Sequence, residues 1–302
     1  SFGLLLVLAA TSTPPGLSQS AAAPGAQVRL TLTVTDEHGR DVSALSKEHV
    51  TVFEEKTPAE VTLFEQSNPP ASVVIVFDLS RNQTKLLAAA RKAFFNLAAR
   101  GSAGSEYFIL GFDQETHLAS DWARTPEQLA AGLDRLAAAK PSNKHALYDA
   151  LSAALRKAES GAHTKRVVVL LSDGRDHGSR ASKDEVLEQL KRSEATLYAV
   201  NPRAGESLLP GAAESLTLNK LCSVSGGFAS YASTGVEFYE FFERLAVELM
   251  NQYTVAFAPR DAARAGWLRL DFKAKTLELR KPPSNKLEKI RLFVRAREGY
   301  YR

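Results

Sequence analysis

A single cysteine, Cys222, stands among 302 residues, so no intramolecular disulfide can form and stability has to come from packing. It lies in a helical apolar pattern with Leu216 and Leu221, with no neighbouring His or Asp in a motif able to activate it, and reads as a buried thiol. The sequence has no His-Glu-x-x-His helix: His38, His49, His117 and His163 stand isolated. It has no phosphate-gripping loop, since Gly101-Ser102-Ala103-Gly104 precedes a strand and lacks the Lys-Ser/Thr pair. No Gly-x-Ser-x-Gly elbow presents a nucleophilic serine. Charge of one sign is not clustered either. The 38 Lys and Arg alternate with 34 Asp and Glu for a net charge of +4, which argues against the basic footprint of a nucleic-acid binder. The apolar run Leu4 to Ala10 is far shorter than the ~20 residues that span a bilayer, so no membrane span is expected in the mature chain.

What is present suits a folded, exported protein. Hydrophobic residues make up 44% of the chain, enough for one large or two modest domains. Leu4 to Ala10 reads as the apolar middle of a signal peptide, with Ala21 to Ala23 as a small-residue cleavage region. Residues 1–26 are therefore expected to be a signal-peptide remnant and linker, and the protein to work in the periplasm or outside the cell.

From Gln27 the pattern alternates, with Val28, Leu30, Leu32 and Val34 on one face, and Asp36-Glu37-His38-Gly39 follows as a turn. Short strands follow at Val50 to Glu54 and Val61 to Glu65, giving a β-unit over residues 27–70. From Ser72 the rhythm changes. Near-continuous apolar strands at Val73 to Phe77, Tyr107 to Leu110, Val167 to Leu171 and Thr196 to Val200 alternate with amphipathic helices, the last expected over Glu237 to Asn251. This is the pattern of an α/β fold with a doubly wound, mainly parallel sheet, covered on both faces and occupying residues 71–251. Strands return over residues 252–302 at Tyr253 to Phe257, Trp267 to Phe272 and Ile290 to Arg295, with Lys281 to Lys286 read as a loop. The two β-segments are expected to pair into one small β-sandwich that carries the α/β portion as an insertion.

In parallel sheets of this kind ligands bind beyond the carboxyl ends of the strands. There stand Asp78-Leu79-Ser80-Arg81-Asn82 after the first strand and Ser172-Asp173-Gly174-Arg175-Asp176 after a later one. Two acidic residues with hydroxyl and amide oxygens beside them offer the hard ligands that Mg²⁺ takes.

Val73 to Asn82, then Ala146-Leu147-Tyr148-Asp149-Ala150-Leu151, then Val167 to Asp176, together resemble the von Willebrand factor A fold with its metal-ion-dependent adhesion site. The turn segments Thr35 to Gly39 and Phe53 to Lys56, with the closing Gln252 to Val255 and Val294 to Tyr301, are most similar to the exported A-domain proteins of acidobacteria. The family site reads Asp-x-Ser-x-Ser, then Thr, then Asp. Asp78, Ser80 and Asp173 match it, whereas Asn82 replaces the second Ser and His145 the Thr.

The resemblance implies a protein-binding module of adhesion or scaffold type, not an enzyme, in which an acidic side chain of the partner completes the shell of one divalent cation. Mg²⁺ or Mn²⁺ is the implied ion. The two altered positions leave a metal-free state open, because imidazole suits Zn²⁺, Mn²⁺ or Ni²⁺ better than Mg²⁺, and Arg81 adds a positive charge to the loop. Arg81, Arg175 and His177 are the expected rim, facing an acidic partner surface. The rival reading is a metal-dependent hydrolase using Asp78 and Asp173, although Asp78-Leu79-Ser80 lacks a second carboxylate two residues on.

Overall fold

The computed structural model describes residues 27–79, 84–139, 142, 144–202, 213–261, 264–281 and 286–302; the expected signal remnant and linker over residues 1–26 lie outside the described residues. The chain opens with β1 (Val28–Thr35), β2 (Val50–Glu54), β3 (Thr57–Pro58) and β4 (Val61–Gln66). The α/β portion runs through β5 (Ala71–Asp78), α1 (Thr84–Arg100), β6 (Glu106–Phe112), β7 (Thr116–Leu118), α2 (Pro126–Ala137), α3 (Leu147–Glu159) and β8 (Lys165–Leu171). It continues with α4 (Lys183–Arg192), β9 (Thr196–Asn201), α5 (Ala213–Ser225), β10 (Ala229–Tyr231) and α6 (Gly235–Asn251). The chain closes with β11 (Tyr253–Phe257), β12 (Trp267–Ala274), β13 (Leu277–Lys281), β14 (Lys286–Ile290), β15 (Phe293–Arg295) and β16 (Gly299–Tyr301).

β5 is buried at every position, and its β-branched run puts it at the centre of a six-stranded sheet ordered β10-β9-β8-β5-β6-β7. All neighbours in this sheet are parallel except the antiparallel edge strand β7. Because side chains alternate along a strand, the sheet builds two cores. Val73, Ile75 and Phe77 face α1, α2 and α6 through Phe94, Leu133 and Phe242, while Val74 and Val76 face α3, α4 and α5 through Leu151, Val186 and Leu221. Each such aliphatic or aromatic side chain taken out of water contributes about 1.5–3 kcal/mol. The helices start where the sequence caps them. Thr125, Ser182 and Thr234 accept from the N–H groups of Gln128, Glu185 and Glu237, and the last two form full capping boxes.

The Gly226-Gly227 pair makes the turn from α5 into β10. Gly226 has φ +88°, and a Cβ on Gly227 would sit 1.8 Å from the Leu197 carbonyl oxygen, so only glycine lets α5 close onto β9. Cys222 is fully buried on the α5 face, and burial pushes its thiol well above the ordinary range.

The strands before and after the α/β portion pair with each other. One sheet is ordered β15-β1-β11-β4 and a second β16-β12-β2-β3, and both contribute to one core through Leu32, Val52, Val255 and Leu270. Gln66 at the end of β4 is the register partner of Tyr253 at the start of β11, so the chain leaves and rejoins this sandwich at neighbouring positions. Two polar ties lock the sandwich to the α/β portion. Buried Glu248 of α6 accepts from Tyr198 Oη at 2.7 Å and Thr33 Oγ1 at 3.1 Å and pairs with Arg295. Arg297 Nη2 donates to the carbonyls of Lys191 and Ser193, each at 2.9 Å, closing the carboxyl end of α4.

The turn expected at Asp36 to Gly39 is present, with Asp36 Oδ1 accepting from the N–H groups of His38 and Arg40 at 2.9 Å. Two readings near the carboxyl end change. Lys281 to Lys286 does not stand outside all pairing: Lys281 and Lys286 are paired strand ends in the β13–β14 hairpin, and residues 282–285 lie outside the described residues. The single strand expected over Ile290 to Arg295 is divided, because Ile290 pairs with β13 whereas Phe293 to Arg295 pair with β1, and Leu292 turns into the sandwich core between them.

Candidate functional site

β5 is the strand at which the winding of the sheet reverses, with β6 on one side and β8 on the other, and such a switch point leaves a crevice at the carboxyl ends. Register decides which residues meet there. Phe77 pairs with Leu171 and Asp78 with Phe112, so Asp78 stands level with Ser172 on one side and next to Asp113 on the other. The segment before α3 brings in His145 from above. Asp78, His145 and Ser172 are buried, and Asp173 lies at the surface edge of the group.

The geometry is close. Ser172 Oγ donates to Asp78 Oδ2 at 2.9 Å, and His145 Nδ1 lies 3.3 Å from the same oxygen. Asp173 Oδ1 accepts from the Arg175 N–H at 3.1 Å. The turn that allows this passes through Gly174 at φ +84°, where a Cβ would press on Leu218 and a left-handed conformation would strain any other residue. Ligand atoms of Asp78, His145 and Asp173 all lie within 4.8 Å of one another.

Asp113 organises the segment that carries His145, and the sequence reading did not single it out. Its carbonyl accepts from Ala146 N at 2.7 Å; its carboxylate accepts from Ser142 N at 2.6 Å and Glu115 N at 3.0 Å, and bonds His117 Nε2 at 2.9 Å. Burial alone would raise this carboxyl; the two N–H groups and the imidazole outweigh it and hold it at about 2. The only sequence signal was an acidic residue directly after an apolar strand, Phe112-Asp113, the same signal that marked Asp78.

Of the expected site residues, Asp78, His145 and Asp173 converge, whereas Ser80, Arg81 and Asn82 lie outside the described residues. Of the expected rim, Arg175 turns toward the site, with Nε 3.9 Å from Asp173 Oδ2. His177 is exposed; its N–H donates to the His145 carbonyl at 2.8 Å, and its ring stands edge-on to that of His145 at 5.9 Å between centroids. His117, read as isolated in sequence, is the partner of Asp113.

Two carboxylates and an imidazole at this separation are a donor set that fits a divalent cation accepting nitrogen as well as oxygen. Asp78, Asp173 and His145 would hold it. The cation would supply an open coordination position for a donor from outside the chain, and Ser172 would fix the Asp78 carboxylate from behind.

The sequence profile of the von Willebrand factor type A domain matches residues 72–244, more than half of the chain, and the chain belongs to that family. Comparison with curated proteins gives no match. Similar solved structures include proximal thread matrix protein 1 from the mussel byssus, at 14% identity and TM-score 0.49 over 70% of this chain and 51% of that one. Another is a von Willebrand factor type A protein from Catenulispora acidiphila, at 11% identity and TM-score 0.48 over 93% of this chain and 75% of that one. A third is the PilB minor pilin from Streptococcus sanguinis, at 13% identity and TM-score 0.47 over 62% of each chain. The chain spans about half the length of the first of these.

Proposed function

We propose that this chain is an exported protein-binding module of adhesion or scaffold type, whose contact surface is the rim at the carboxyl ends of β5, β6 and β8. The observation that carries the reading is the convergence of Asp78, His145 and Asp173 at the switch point of a von Willebrand factor type A domain. Those residues form an altered metal-ion-dependent adhesion site with one divalent cation, and a carboxylate of the partner completes the shell. Arg175 and His177 line the rim described above and, with Arg81, favour an acidic partner surface. Residues 71–251 are the binding domain, and residues 27–70 with 252–302 are the support on which it is mounted. The apolar segment Leu4 to Ala10 supports export to the periplasm or the cell exterior, and the Asp36 to Gly39 turn with the closing Glu298-Gly299-Tyr300-Tyr301 supports kinship with the acidobacterial group. Among the described residues no helix is long and apolar enough to cross a membrane.

The test is a binding screen of the folded chain against peptides that differ only in carrying Asp or Glu versus Asn or Gln, with and without a chelator. Binding that needs the carboxylate and the ion, and is lost in Asp78→Ala, is the expected result. Binding unchanged in Asp78→Ala would move the contact surface away from this rim. The hydrolase alternative uses the same two carboxylates; turnover of a generic phosphoester that disappears in Asp78→Asn would favour it instead.

A further inference from the structure

We infer that the cation taken at this site is of the Zn²⁺ class, held in four-coordinate tetrahedral geometry by Asp78, Asp173 and His145 with the fourth position open, and that Mg²⁺ is discriminated against. The inference rests on the proposed reading of the site and names the chemistry within it.

Three observations carry it. The first is the donor set. His145 is buried at 4% exposure, with Nδ1 directed at the Asp78 carboxylate, so the position nearest Asp78 offers nitrogen. Mg²⁺ binds oxygen and gives up water reluctantly, while Zn²⁺ takes imidazole and carboxylate together. The second is the spacing. The ligand atoms of Asp78, His145 and Asp173 lie within 4.8 Å of one another, near enough for one ion to take all three, and His145 Nδ1 and Asp78 Oδ2, 3.3 Å apart, can meet it at adjacent positions.

The third is the fixing of the donors by groups that do not themselves bind the ion. Ser172 Oγ holds Asp78 Oδ2, the Arg175 N–H holds Asp173 Oδ1, and Asp113 holds the segment that ends at Ala146. Among the described residues, two carboxylates and an imidazole steadied from outside are the kind of donor set a zinc site uses. It also widens the partner chemistry, because Zn²⁺ accepts an imidazole at the open position as readily as a carboxylate.

The experiment is calorimetric titration of the metal-stripped full chain with Zn²⁺ and with Mg²⁺, alongside the visible absorption of the Co²⁺-loaded chain, for wild type, His145→Thr and Asp78→Ala. The expected result is Zn²⁺ binding at least about a hundred-fold tighter than Mg²⁺, and intense tetrahedral Co²⁺ bands. In His145→Thr the bands vanish and Zn²⁺ affinity falls about a hundred-fold or more, with circular dichroism unchanged. Wild type binding Mg²⁺ as tightly as Zn²⁺, or a weak octahedral Co²⁺ spectrum, would overturn the inference while leaving the adhesion reading intact. Binding of no ion at all would overturn both the inference and the metal-assisted form of that reading. Loss of circular dichroism in His145→Thr would shift the judgement to the wild-type Co²⁺ spectrum, which decides without the variant.

Discussion

Glu248 on the last helix and Arg295 on β15 form a part-buried ion pair 47 positions apart in sequence, with Glu248 only 2% exposed and Arg295 27%. The pair is satisfied from several sides: Tyr198 and Thr33 donate to Glu248, and Arg295 Nη1 donates to the Gly226 carbonyl at 2.7 Å. Removing Glu248 takes the counter-charge from a mostly buried guanidinium and the acceptor from the Tyr198 and Thr33 hydroxyls. Glu248→Ala is expected to lower stability by about 3–5 kcal/mol in denaturant unfolding. Glu248→Ala combined with Arg295→Met should recover part of that loss, and strict additivity of the two changes would refute the coupling.

Asp113 gives the protein an acid limit. Its folded pKa of about 2 lies below the ordinary 3.8, so the unfolded state binds the proton first. The stability it provides is complete above pH 3.8 and is lost as pH falls toward 2. Asp113→Asn should lower the melting temperature at pH 7 and flatten its decline between pH 4 and 2; a curve parallel to wild type would count against this role. Cation affinity should fall as well, since the segment carrying His145 is no longer held.

Asp41 acts with the opposite sign. Burial first, and then the nearby Glu248 carboxylate, raise its carboxyl from 3.8 to about 6 against the opposing effect of Arg295 and Arg244. The folded state therefore holds the proton that the unfolded state gives up. The stabilisation is present below pH 3.8 and lost as pH rises through 6. Asp41→Asn is expected to raise the melting temperature at pH 7 and to leave it unchanged at pH 3.5. A variant less stable than wild type at pH 7 would contradict that sign.

Gly227→Ala should be among the most damaging single-methyl additions. The new Cβ would lie 1.8 Å from the backbone oxygen of Leu197, and backbone in a central layer has nowhere to move. A loss of about 4 kcal/mol or failure to accumulate as soluble protein is expected. A melting temperature within a degree of wild type would show that β9 and β10 can separate.

Much of this arrangement was legible because it is periodic. The β-branched runs at 73–77 and 167–171 marked the buried parallel strands, and the carboxylates after them marked the switch point. His145 was found through the Ala-Leu-Tyr-Asp segment beside it. What escaped depends on direction and distance. Asp113 acts through backbone N–H groups of a segment about 30 residues away, and no spacing rule reports which way a carboxylate points. Glu248 and Arg295 sit in separate elements, each with an ordinary local pattern. The β13–β14 pairing escaped because the Pro282-Pro283-Ser284-Asn285 stretch of sequence drew attention from the alternation in Leu277-Glu278-Leu279-Arg280 beside it.

The side-by-side placement of Gln66 and Tyr253 has a mechanical consequence. The candidate site is at the carboxyl edge of the sheet, while both connections to the sandwich leave from the opposite edge, where Lys165 at the start of β8 bonds the Leu249 carbonyl near the end of α6. A pull on a partner held at the proposed site would therefore travel the full length of the strands and reach two adjacent tethers at once. With only residues 67–70 on one side and Gln252 on the other as leads, the two connections are short and the α/β portion has little room to swivel on the sandwich.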